Sequence, residues 1–359
     1  MKNLSKRKRV ALVILCGLLL LASCACFLTG RSLGKLLPSQ TAAERWTGEG
    51  EGVFRQISCY LPQEEHITLN QIHAFRYAIL DKLHEAGLEA DTDTRLFRDA
   101  WSTAGKLNAS TEIGHGDVSV IAVGGDYFLF HPLRLLNGSY LTESDLMEDR
   151  VLLDEETAWL LFGSTDLAGM ELKLNGVPFT VAGVIEREQD FASRKAYTAG
   201  RGIFMSFDAL TNLVEGTGAS CYELVMTDPV KNFALNFVKE KFPVGQGEVV
   251  ENTGRFSFGR VLQLVKQFGS RSMQKLGVVY PYWENAARCV EDWCSLLSLL
   301  CLAFAVLPVL LVVQLAVRVL WLLKRKLSED VLPEVKEKTE EALRKQQRKH
   351  WEKKHPGEK

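Results

Sequence analysis

His73 and His84 share one expected helix but stand eleven residues apart. Three helical turns separate them, too far for one ion to bridge both rings. His115-Gly116-Asp117 and the Asp154-Glu155-Glu156 triplet carry groups suited to acid and base work. The triplet also reads as an acidic first turn, favoured by the dipole of the helix that follows it. Asp91 and Asp93 have the first two spacings of a calcium loop, but Arg95 and a missing glycine break the pattern. Gly30 to Leu36 (GRSLGKL) comes nearest to a phosphate-binding loop. It has one residue too few between its glycines, and Leu36 stands where a hydroxyl would hold magnesium. H-E-x-x-H does not occur, and Gly30-Arg31-Ser32-Leu33-Gly34 matches G-x-S-x-G by spacing alone, at the end of an apolar run rather than between a strand and a helix. No catalytic, cofactor-binding or metal residues are therefore expected, and any ATPase must be a separate chain.

The elements that would position these groups are set by two apolar runs. The 359 residues carry a formal net charge of −1, which excludes a global basic field for nucleic acid. The charge is segregated all the same. Basic residues from Lys2 to Arg9 precede Val10–Leu28, nineteen uncharged residues that span about 28 Å as a helix. A second run, Trp293 to Val317, contains Pro308 and is bracketed by Trp293 and Trp321. Proline there should kink the helix rather than end it, because apolar sequence continues on both sides. Arg318, Lys324, Arg325 and Lys326 follow it, whereas Glu291 and Asp292 precede it. The positive-inside rule then puts both termini in the cytoplasm and residues of about 31 to 290 outside. Leu21-Ala22-Ser23-Cys24 also matches a lipobox with Cys24 as the lipidated residue, although the run stays apolar beyond it.

Ser295, Ser298, Cys301 and Ala305 recur at helical spacing, a small-residue stripe that lets another helix approach. Gln314 and Arg318 share a face; Arg318 either snorkels to headgroups or pairs with a partner helix. These six positions are the candidate helix interface. Five of the eight cysteines lie in the apolar runs. Cys59 and Cys221 both fall on expected strands, which leaves open a disulfide or two free thiols.

Between the runs, Phe54 to Leu61 reads as a strand and Thr68 to Glu85 as an amphipathic helix, capped by Thr68 and closed by Gly87. Tyr222 to Met226, Val230 to Phe242 and Gly247 to Glu251 read as strand, helix and strand. Together they suggest a ferredoxin-like layer, residues 54–116 and 213–253. The intervening 117–212 is an inserted β-rich subdomain. Its strands are Val118 to Val123, Val151 to Leu153, Glu171 to Leu174 and Val177 to Ile185, with a helix from Glu155 to Phe162 ended by Gly163. Asn175-Gly176 between two alternating strands is a hairpin turn, since both residues tolerate positive φ. The expected fold class is thus an α+β extracytoplasmic domain between two transmembrane helices. The remaining boundaries are a cytoplasmic N-terminus (1–9), the first span (10–28), a connector (29–53), a stalk (254–292), the second span (293–323) and a charged cytoplasmic tail (324–359). The tail carries Glu334/Lys338, Glu340/Arg344 and Glu341/Lys345 at i, i+4 spacing, and its basic end could touch anionic lipid or an ATPase.

Several of these residues fall in an ordered set. Tyr127-Phe128, Leu136-Asn137-Gly138, Thr142 with Asp145, and Val151 to Asp154 are followed by Ala158, Leu161-Phe162-Gly163, Gly169, Asn175-Gly176 and Phe179 to Val184. The set resembles the MacB-like periplasmic core domain of MacB/FtsX-type ABC transporter permeases. The resemblance implies a non-ATPase, permease-like subunit of a bacterial plasma membrane, working with a separate cytoplasmic ABC ATPase. Such permeases carry three helices after the domain, whereas one is visible here. A shortened relative of that kind would need a fuller permease subunit, or a second copy of itself, as partner. A membrane-anchored ligand-binding or sensor module is the alternative.

Overall fold

The computed structural model describes residues 6–46, 53–62, 65–88, 96–142, 148–196, 202–271, 280–327 and 332–354. Asp91, Asp93, Arg95 and Asp145 lie outside the described residues.

The helices are α1 Lys6–Leu33, α2 Ala42–Trp46, α3 Leu69–Glu85, α4 Tyr127–Phe130, α5 Glu155–Phe162 and α6 Phe191–Ala196. They continue with α7 Phe207–Leu213, α8 Phe233–Lys241, α9 Phe258–Leu264, α10 Phe268–Arg271, α11 Tyr282–Lys326 and α12 Leu332–Lys354. The strands are β1 Phe54–Tyr60, β2 Phe97–Ser110, β3 His115–Gly125, β4 Arg134–Gly138 and β5 Arg150–Asp154. The rest are β6 Glu171–Leu174, β7 Val177–Glu186, β8 Gly202–Ser206, β9 Cys221–Thr227 and β10 Glu248–Glu251.

Two compact units result: residues 28–298, and residues 1–27 with 299–359. In the first, the ten strands of the described residues form one sheet in the order β10-β1-β9-β2-β3-β8-β5-β7-β4, with β6 bridging β2 and β7. The run β10-β1-β9-β2 is antiparallel throughout and has the 4-1-3-2 order of a ferredoxin-like layer. Its helices α3 and α8 cover one face. Thr68 caps α3 in a capping box with Gln71, and Ile72, Phe75, Ile79 and Leu83 are buried. Strands of the expected insertion continue the same sheet through the long β2–β3 hairpin, then a parallel β3–β8 pair. This is the mixed α/β domain between apolar helices that the sequence led us to expect.

The Asn175-Gly176 turn has φ of 47° and 85°, the paired positive values of a two-residue hairpin. Asn175 also docks the turn on β2, its side chain accepting from the Asn108 amide at 3.0 Å. Asp154 caps α5 by accepting from the Thr157 amide at 2.7 Å, and Gly163 ends that helix with φ of 68°.

Register decides the question of a disulfide. Cys59 stands opposite Tyr222, and Tyr60 stands opposite Cys221. Successive residues of a strand face opposite sides, so the two thiols lie on different faces of the sheet and cannot be bridged. Cys59 packs with Phe75 and Leu224, whereas Cys221 packs with Tyr60 and Trp283. Both are free, and burial, then the charge of Glu223, pushes both thiols up from their ordinary value.

In the other unit, α1 and α11 contain windows long and apolar enough to cross a membrane. Ser23 Oγ donates to the Cys301 carbonyl at 2.9 Å, tying the two helices together where few other polar partners exist. Helix α11 passes through Pro308 unbroken, and it begins at Tyr282, well before the apolar run at Trp293.

Candidate functional site

The extra turns at the start of α11 carry the most unusual chemistry of the chain. Glu284, Arg288 and Glu291 are spaced i, i+4 and i+7, so they line one face of the helix. That face is turned into the sheet unit, leaving them 0%, 1% and 3% exposed. They meet Arg255, 2% exposed, from the turn after β10. Arg255 grips Glu284 with two nitrogens, at 2.6 and 2.8 Å, and donates through Nε to Glu291 at 2.6 Å. Arg288 donates to Glu284 at 2.9 Å and to Glu248 of β10 at 2.7 Å, with its guanidinium 3.6 Å from the centre of the Tyr280 ring. Arg271 of α10 reaches both Glu248 and Glu291.

Three arginines and three glutamates therefore balance inside the unit. Taking such charges out of water is costly, and it is offset here by bidentate geometry and nearly complete pairing. Burial alone would push the Glu284 carboxyl up; Arg255 and then Arg288 outweigh it and hold the group at about 2. Burial likewise lowers the Arg255 guanidinium, but Glu284 and Glu291 raise it well above its ordinary value.

A chain of hydrogen bonds carries the network across the ferredoxin-like layer. Tyr60 of β1 donates to Glu284 at 3.1 Å. Gln40, just after α1, accepts from both Arg255 and Asn252. Ser58 lies within hydrogen-bond distance of Asn252 and Glu223, and Glu223 is 2.5 Å from His131 Nε2. The residues flanking both apolar helices are thereby fastened to the middle of the sheet.

Beside this network lies a cavity of about 410 Å³, between the sheet face opposite α3 and the Tyr280–Trp283 segment. A second cavity, of about 300 Å³, holds His73, Arg76, Trp101, Glu148 and Asp208. His73 and His84 remain apart on α3, and Asp117 of β3 accepts from Asn108. Among the described residues, no group of three or more His, Cys, Asp and Glu is placed to hold a metal. The acidic triplet starts α5, as the dipole argument expects, and Arg187 pairs with Asp154 and Glu156.

Of the positions expected at a helix interface, Ser295 donates to the Val261 carbonyl at 3.0 Å and Ser298 is buried. Cys301 meets Ser23, Ala305 is half-buried, and Gln314 and Arg318 are exposed. Sequence reasoning missed Arg255, Glu284, Arg288 and Glu248. The signal was present in the i, i+4, i+7 charges immediately ahead of an apolar helix, a polar face that must find partners if it is buried.

Residues 68–234 match the MacB-like periplasmic core domain family. A stretch of 106 residues is 31% identical to the uncharacterized ABC transporter permease YvrN of Bacillus subtilis, covering 26% of each chain. The match spans about a quarter of that relative's length. Among solved structures, the periplasmic region of MacB from Actinobacillus actinomycetemcomitans is similar at 14% identity. It covers 61% of this chain and 94% of that one, with a TM-score of 0.39. The extracellular domain of the noncanonic ABC-type transporter YknZ from Gram-positive bacteria is similar at 16% identity, 52% and 88% coverage and a TM-score of 0.35. Over residues 68–234 the chain is thus similar to the MacB-like periplasmic core domain found in ABC transporter permeases, and an apolar helix lies on either side of that match.

Proposed function

We propose that the chain is a permease-like, non-ATPase subunit of a MacB/FtsX-type ABC transporter complex. In this reading both termini are cytoplasmic, the sheet unit is extracytoplasmic, and ATP-driven motion of the helices reaches it through α11. The observation that carries the reading is the buried network at the start of that helix. A tether would need no charges there, and a bidentate arginine–glutamate contact backed by further ion pairs resists slippage between helix and sheet in a way that an apolar packing surface does not. Ser23, Ser295, Ser298 and Cys301 are the positions proposed for close helix approach, with Arg318 as a partner contact near the cytoplasmic end. The partners proposed are a separate cytoplasmic ATPase and a second permease subunit or a second copy of this chain.

Co-purification of the full chain in mild detergent tests the proposal. An ATPase recovered with it, together with turnover that falls in a Glu284→Gln variant that still associates, is the expected result. Recovery of the chain without an ATPase removes the support for a transporter subunit. A second reading, a membrane-anchored ligand-binding module, is favoured by the 410 Å³ cavity. A ligand that raises the melting midpoint of a chain lacking any associated ATPase would establish it.

A further inference from the structure

The 410 Å³ cavity has a size typical of small-molecule sites. Its floor is the face of β2, β3 and β8 that α3 and α8 leave uncovered, and its roof is the segment leading into α11. Ile121, Ile185, Phe204 and Trp283 supply apolar walls, and Ser102 and Ser119 add hydroxyls.

Charges at the cavity pair off with one exception. Arg187 is held by Asp154 and Glu156, and Glu186 accepts from Arg134 at 2.7 Å. Lys106, exposed at the rim, has no partner among the described residues. An occupant that fits these apolar walls and meets Lys106 has an apolar body and an anionic head. The apolar part of α11 begins ten residues beyond Trp283, about 15 Å along the helix, so the cavity lies within reach of a membrane surface.

We infer that this cavity binds an amphiphile made of an apolar chain and an anionic head group. The inference does not depend on an ATPase partner, because the cavity lies wholly within residues 28–298.

Photo-crosslinking tests it on the full chain in nanodiscs of phosphatidylcholine. Three probes carry a diazirine on the alkyl chain: a fatty acid added from solution, a phosphatidylglycerol in the bilayer, and a fatty alcohol as the uncharged control. The expected result is adducts on the peptides containing Ile121, Phe204 and Trp283 with an anionic probe, exceeding the alcohol by roughly threefold or more. Labelling by the fatty acid alone identifies a soluble source, and labelling by phosphatidylglycerol identifies the bilayer. Ala104→Trp, which fills the cavity from an exposed position on its floor, should abolish the adducts. Lys106→Glu, a surface change that leaves the core untouched, should lower them by roughly threefold. Adducts confined to the two apolar helices, equal labelling by the alcohol, or labelling unchanged in Lys106→Glu would each overturn the inference.

Discussion

Arg255 is the residue on which the buried network turns. Four of its hydrogen bonds end on Glu284, Glu291 and Gln40, so removing it takes the shortest partner from two carboxylates held away from water. Breaking a buried pair from one side typically costs about 3–5 kcal/mol, a large share of the 5–15 kcal/mol that holds an ordinary domain together. Arg255→Met should therefore lower the melting midpoint of the purified chain sharply, and adding Glu284→Gln should recover part of the loss. Equal midpoints for Arg255→Met and the natural chain would show that the network contributes nothing. Glu284 gives the pH dependence. Its carboxyl is held at about 2, below the ordinary 4.5 of a glutamate, so its contribution is complete above about pH 4.5 and is lost as pH falls toward 2. Melting midpoints measured across that interval should fall less steeply in Glu284→Gln than in the natural chain, and parallel profiles would refute the assignment.

At the scale of elements, β4 and β7 approach each other unusually closely. Gly138 has φ of 83°, and a Cβ added there would lie 2.0 Å from the Ala182 carbonyl oxygen. Gly138→Ala should cost about 1–3 kcal/mol through backbone strain, seen as a lower denaturation midpoint, with the closed β4–β7 edge opening first in hydrogen exchange. A variant as stable as the natural chain would mean that β4 is not held in this register. The same elements show what the sequence makes legible. The Asn175-Gly176 hairpin, α3 with its Thr68 cap and α5 between Asp154 and Gly163 are written in local chemistry: turn residues, caps and periodicity. Strand β2 is not. FRDAWSTAGKLNAS lacks alternation because β2 is paired on both edges and its polar residues are satisfied inside, Asp99 accepting from Arg76 and Tyr222 at 2.8 Å each. Leu136-Asn137-Gly138 looks like a turn, yet it forms most of β4, because pairing with β7 overrides a local preference. The network was hidden for a related reason. Its six charges come from three separate stretches of chain, and only the topology brings Glu248, Arg255 and Glu284 together.

For the whole molecule, the proposal stands or falls on which side of the membrane the sheet occupies. Lys173, exposed on β6, and Lys349, exposed on α12, report on the two sides without disturbing a core. The native thiols give little background at the sheet, since Cys59 and Cys221 are buried and held in the unreactive protonated form. A membrane-impermeant maleimide applied to intact spheroplasts should therefore label a Lys173→Cys variant at once, and a Lys349→Cys variant only after permeabilisation. The expectation follows from the basic residues outside each apolar run, with the acidic Glu291 and Asp292 at the opposite, sheet-side end of the second. Glu291 sharpens the argument, because it is paired with Arg255 in the sheet unit and cannot leave that side without breaking the network. Labelling of Lys349→Cys with Lys173→Cys protected would reverse the topology. It would put the network in the cytoplasm and leave α11 with no outward path along which to pass motion.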